Sequence, residues 1–118
     1  MALLPETVPA PRPRLLPRLA AAVGAAAVAV VGRPDGSRAL TLTRFRTDPG
    51  PDLYVYVVPR PAPDGDVDGG TRLARLKGNV GDQQYPLPAD LELGEAATVA
   101  IWCRAFSVAF GAAALAAV

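Results

Sequence analysis

Thirteen prolines in 118 residues constrain this chain more than any other feature. Proline lacks an N–H donor and holds φ at about −65°, so each one is kept out of helix interiors and central strands. Five fall in the first 17 residues, at Pro5, Pro9, Pro11, Pro13 and Pro17, interleaved with Arg12, Arg14 and Arg18. An uninterrupted helix or central strand is excluded there, and residues 1–24 read as a flexible, extended N-terminal arm. The rest, residues 25–118, is the length of one domain.

Residues 19–31 contain only Leu, Ala, Val and one Gly. As a helix this stretch is too short to span a bilayer. Three other readings stay open. It follows a basic segment as the apolar part of a secretory signal or anchor would, with Ala27-Val28-Ala29 in the small-x-small form of a cleavage site. It could be a soluble helix. Or residues 25–31 pair with residues 39–45 in a hairpin across an Asp35-Gly36 turn signal. Cleavage after Ala29 would remove most of that first strand, so signal and hairpin exclude each other.

Beyond Ala39 the pattern is of strands. Leu53–Val58 is apolar on both faces and bounded by Gly50-Pro51-Asp52 and Pro59, as a strand inside a sandwich would be. Residues 59–71, with three Pro, three Gly and three Asp, read as a loop. Residues 72–76 suit a short strand, 78–84 a tight polar turn, and 85–93 an irregular crossing with Pro86 and Pro88. In residues 97–115, Val99, Ile101 and Cys103 alternate with Ala100 and Trp102; one long strand or a hairpin bending near 104–107 both fit. Many short strands and no convincing helix after Gly32 predict an all-β fold, a compact antiparallel β-sandwich.

Composition excludes several kinds of chemistry. There is no His and one Cys, which removes Ser-His-Asp and Cys-His catalysis, His-ligated haem, classical zinc sites and an intrachain disulfide. With 12 basic and 11 acidic residues there is no large single-sign field, so nucleic acid is not an expected partner. Asp64, Asp66 and Asp68, with Gly69, match the first half of a calcium loop. The ninth and twelfth positions, however, are Arg72 and Arg75, where ligands should stand. A solvated connecting loop explains the same residues. Lys77-Gly78-Asn79-Val80-Gly81-Asp82 lacks Walker spacing and reads as a glycine-assisted turn.

Three blocks carry a resemblance. They are Leu40-Thr41-Leu42-Thr43-Arg44-Phe45-Arg46-Thr47 with Gly50-Pro51-Asp52-Leu53-Tyr54-Val55-Tyr56; Leu73-Ala74-Arg75-Leu76-Lys77-Gly78-Asn79-Val80-Gly81-Asp82-Gln83-Gln84-Tyr85 with Pro88-Ala89-Asp90; and Val99-Ala100-Ile101-Trp102-Cys103-Arg104-Ala105-Phe106 running on to Gly111. In this order, over residues 28 to 115, the chain resembles the DM-thirteen electron-transfer domain. The resemblance implies an exported or cell-envelope β-sandwich, a redox partner protein, and the cysteine of the Trp-Cys pair as redox centre, either as a bare thiol or as ligand to a prosthetic group such as haem. Cys103 holds that position, with Trp102 and Arg104 beside it. The family's usual Phe and His near the first strand are absent here, which speaks against a His-ligated metal.

Two functional classes follow: a redox module centred on Cys103, or a non-catalytic cell-envelope binding or structural module in which Cys103 is a core side chain. The redox reading calls for a thiolate with a cation nearby. Arg104 is adjacent in sequence, but neighbours on a strand point to opposite faces. Tyr54, Tyr56, Tyr85 and Trp102 invite an electron path, although aromatics in strands most often pack the core. No stand-alone enzymatic reaction is defined, and membrane association depends on a signal or anchor in the N-terminal segment.

Overall fold

The computed structural model describes residues 7–9, 23–25, 27–94 and 96–116, and no helix occurs among them. The strands are β1 (Thr7–Pro9), β2 (Val23–Gly24), β3 (Ala27–Gly32), β4 (Arg38–Thr47), β5 (Leu53–Val58), β6 (Thr71–Arg75), β7 (Val80–Pro86), β8 (Ala96–Cys103) and β9 (Val108–Ala116). They form two antiparallel sheets. In the first, β4 carries β3 and β2 on one side and β7 on the other, and β1 lies on β3. The second has the order β6-β5-β8-β9. The fold is the expected all-β sandwich.

The hairpin reading of the Ala-rich stretch holds: Val28 stands opposite Leu42, and Val30 opposite Leu40. Its turn is closed by Asp35, whose carboxylate accepts hydrogen bonds from the Ser37 hydroxyl (2.7 Å) and N–H (2.9 Å). These bonds, the hydroxyl's foremost, hold the Asp35 pKa below its ordinary value. The pairs Val23↔Thr47 and Gly24↔Arg46 continue the register of Ala27↔Thr43, so β2 and β3 are two pieces of one line along β4. Most of the proposed arm, residues 1–6 and 10–22, lies outside the described residues.

Period-two alternation sorts the side chains. Val28, Val30, Leu40, Leu42 and Phe45 of the first sheet meet Leu53, Val55, Val57, Val99, Ile101 and Cys103 of the second. Burying a large aliphatic side chain is worth roughly 1.5–3 kcal/mol, and this layer is the main source of stability.

One strand was misread in the sequence. Residues 80–86, expected as part of a polar turn and an irregular crossing, form β7 and pair with β4. The alternation is present but polar: Gln83 and Tyr85 are buried, while Val80, Asp82, Gln84 and Pro86 are exposed. Pro86 is tolerated because, among the described strands, β7 is an edge strand paired with β4 alone. Buried polarity is satisfied locally. The Tyr85 hydroxyl accepts from the Lys77 N–H (2.8 Å) and donates to Gln83 Oε1 (2.5 Å), while Gln83 Nε2 donates to the Gly78 carbonyl (2.6 Å). Burial raises the Tyr85 pKa, against the lowering effect of the Lys77 N–H. The β4–β7 register shifts between Leu42 and Phe45, where Arg44 takes φ 50° and its N–H donates to Asp82 Oδ1 (2.7 Å). Gly81, opposite Phe45, supplies φ 112°, a value that suits glycine.

The last apolar segment is a hairpin, with residues 104–107 joining β8 to β9. The register shifts between Ile101 and Trp102, which leaves Phe110 as the extra residue and sends its ring into the core. Residues 59–70 fold back on the outer face of the second sheet. Thr98 anchors them, its hydroxyl donating to the Arg60 carbonyl and accepting from the Ala62 N–H, both at 2.9 Å. Gly70 permits the close return, since a Cβ there would lie 2.9 Å from Val58 Cγ2 and 3.0 Å from the Val57 carbonyl oxygen.

Candidate functional site

Cys103 is the last residue of β8, with Leu53 opposite it on β5 and Val108 on β9. Its odd-numbered position on β8 points the side chain between the sheets, where it is fully buried at 0% exposure. Arg104, by contrast, is exposed in the turn, and its N–H donates to the Asp52 carbonyl (2.9 Å). The guanidinium therefore stays with solvent while the sulfur lies among aliphatic groups.

Trp102 points the opposite way. It is half-buried on the outer face of the second sheet, directly across from Tyr54. The Tyr54 ring has the Arg75 guanidinium carbon 4.9 Å from its centroid and that of Arg72 at 5.1 Å. Arg75 also donates to the Tyr54 hydroxyl (2.9 Å) and pairs with Asp52 (3.1 Å). Arginines three positions apart on a regular strand would face opposite ways. The β5–β6 register shifts between Val55 and Tyr56, with Tyr54 opposite Arg75 and Tyr56 opposite Arg72, and that shift brings both cations to one ring. In the sequence both arginines entered as residues that spoil a calcium loop, and nothing there set them against Tyr54, because a bulge has no signature in the letters TRLAR. Of the aromatics singled out there, only Tyr85 lies in the inter-sheet core; Tyr54, Tyr56 and Trp102 share the outer face.

The aspartates of the 59–70 loop are engaged with the loop itself. Asp64 Oδ1 accepts from the Asp66 N–H and Asp66 Oδ1 from the Asp68 N–H, each at 3.0 Å. Arg60 donates to the Asp68 carbonyl (2.7 Å) and lies 3.6 Å from Asp66 Oδ2. These are turn-forming contacts. Among the described residues no three His, Cys, Asp or Glu side chains converge on a point that would hold a metal.

A small apolar cavity of about 20 Å³ opens between the sheets, lined by Gly24, Ala25, Val28, Phe45, Ile101 and Gly111 among others. That is room for about one water molecule, and Cys103 is not in its wall. A haem on the Cys103 sulfur does not fit this packing, because the macrocycle would have to displace the aliphatic layer between the sheets.

Together these features define a small antiparallel sandwich with one enclosed thiol and an aromatic-cationic outer face. Comparison with protein families matches the family described as Electron transfer DM13 over residues 21–115, and the chain belongs to that family. Neither the curated proteins nor the solved structures give a match.

Proposed function

We propose that this domain is an electron-transfer module at the cell envelope, with the Cys103 sulfur as its redox atom and another protein as its partner. The observation that carries the reading is the placement of the chain's single cysteine: within a domain of an electron-transfer family, it stands at the very end of β8, one residue from a turn. Within that turn the bond from the Ser107 N–H to the Arg104 carbonyl is long, at 3.4 Å, while the Arg104 N–H is held by the Asp52 carbonyl at 2.9 Å. Strand ends beside such turns open locally at much lower cost than the whole fold.

With one cysteine, a disulfide cycle needs sulfur from the partner. Cys103 loses its proton and attacks a partner disulfide; that S–S bond breaks, a mixed disulfide forms, and the departing sulfur takes up a proton. A thiolate of a second, dithiol protein then attacks the Cys103 sulfur, releasing the first partner as a dithiol, and that donor's other thiolate displaces Cys103, which leaves as thiolate and is reprotonated. Two electrons pass from the donor dithiol, which becomes a disulfide, to the acceptor disulfide, which becomes a dithiol.

The complete burial of the sulfur favours a second reading, in which Cys103 is a packing residue and the domain only binds. Treating the native protein with oxidised glutathione and weighing it separates the two. A mixed disulfide on Cys103 that forms under native conditions and is reversed by excess thiol supports the redox role. Modification only after unfolding supports the packing role.

A further inference from the structure

Four contacts tie three loops into one cluster around the Cys103 end of β8. The Thr47 N–H donates to the Asn79 carbonyl, the Leu76 N–H to that of Leu53 and the Arg104 N–H to that of Asp52, and Arg75 pairs with Asp52. Phe106 and Val80, 65% and 75% exposed, are the large hydrophobic side chains most open to solvent among the described residues, and both lie in this cluster. Around them stand Arg44, Arg46, Arg75, Lys77 and Arg104, against Asp48, Asp52 and Asp82. The opposite strand ends are acidic: Arg33, Arg38 and Arg60 against Asp35, Asp64, Asp66, Asp68, Asp90 and Glu92. Among the described residues, with Arg72 on β6 left between the two groups, charge is thus polarised from end to end, and Val80 and Phe106 lie at the basic end.

We infer that the loop cluster formed by residues 44–53, 75–82 and 103–108 is the docking surface for an acidic partner protein. The inference rests on the electron-transfer reading and names the chemistry of that partner. Transient electron-transfer contacts are small, with an apolar centre and a charged rim that steers approach. The cluster has both parts, and it adjoins the Cys103 end of β8. A protein is favoured over an anionic bilayer because three carboxylates are set among the cations: an extended anionic plane would lie against all of them, whereas a short acidic segment can lie along the cations alone.

The probe is a synthetic amphipathic peptide of alternating glutamate and leucine, titrated into the full chain and followed through backbone amide NMR shifts. Shifts should map to the three loops, and binding should weaken as ionic strength rises from about 0.01 to about 0.15 M, shortening the screening length from about 30 to about 8 Å. An Arg46→Glu/Arg104→Glu variant should bind about tenfold more weakly and Phe106→Ser should also lose affinity, while Arg33→Glu at the far end should not. Each variant's amide spectrum reports whether it is folded. Shifts at 33–38 or 60–68, unchanged affinity in the double variant, or binding to phosphatidylcholine–phosphatidylserine vesicles but not to the peptide would overturn the inference. Loss of docking with mixed-disulfide formation intact removes this surface alone; docking without thiol chemistry removes the redox reading alone.

Discussion

Cys103 and Trp102 are adjacent in sequence and occupy two different solvents. The sulfur faces the layer between the sheets, whose lining is apolar; the indole faces outward across from Tyr54, over whose ring the two arginines lie. The first environment holds packed apolar side chains, whereas the second stabilises cations against aromatic rings. One strand therefore presents a packing side chain to one face and an aromatic side chain to the other with no change of backbone. A redox role for the sulfur then depends on movement at the strand end, since in the closed state its surroundings are those of a packing residue.

The sharpest way to break this contrast is to cut into the inner layer. Ile101→Ala should cost about 3 kcal/mol, within the usual range of roughly 2–5 for such truncations, measured by denaturant unfolding. Tyr85→Phe should cost about 1–2 kcal/mol by leaving the Lys77 N–H and Gln83 Oε1 without their buried partner. Its pH signature follows from the raised Tyr85 pKa. Above about pH 10 the unfolded chain ionises this phenol first and so binds fewer protons than the native state. Stability should therefore fall as pH rises through and beyond that point, and this part of the fall should vanish in Tyr85→Phe. Cys103→Ala should cost about 1 kcal/mol as a small truncation, and should abolish mixed-disulfide formation entirely. On the outer face, Arg75→Ala should cost only about 0.5 kcal/mol, because the Arg75 side chain itself is mostly exposed. If Arg75→Ala were as damaging as Ile101→Ala, the division between the faces would be wrong.

What the sequence made legible follows the same division. Leu53–Val58 was readable because both faces are apolar, and Val99, Ile101 and Cys103 because their alternation is unbroken up to the Cys103 end. The hairpin of β3 and β4 was one of several readings for an Ala-rich run, and pairing with the Thr-Leu alternation of β4 decided it. β7 was missed because its buried face uses Gln83 and Tyr85, whose burial depends on hydrogen bonds to a loop distant in the alternation signal. At the site, the Trp-Cys pair could be named, but exposure could not. Whether Cys103 lay open or closed depended on Leu53 and Val108, which reach it only through sheet pairing. The Arg72–Tyr54–Arg75 arrangement was hidden for the same reason, since it exists through one register shift.

The central claim is that the Cys103 sulfur is enclosed yet reached by local opening of the 104–107 turn. The most direct measurement is the rate at which a thiol-specific reagent labels Cys103 in the native full chain, followed across low denaturant concentrations. Local opening predicts labelling slower than that of the unfolded chain but far faster than global unfolding, with little dependence on denaturant in this range. Labelling only at the global unfolding rate, rising with denaturant as that rate does, would contradict the claim and leave Cys103 a packing residue.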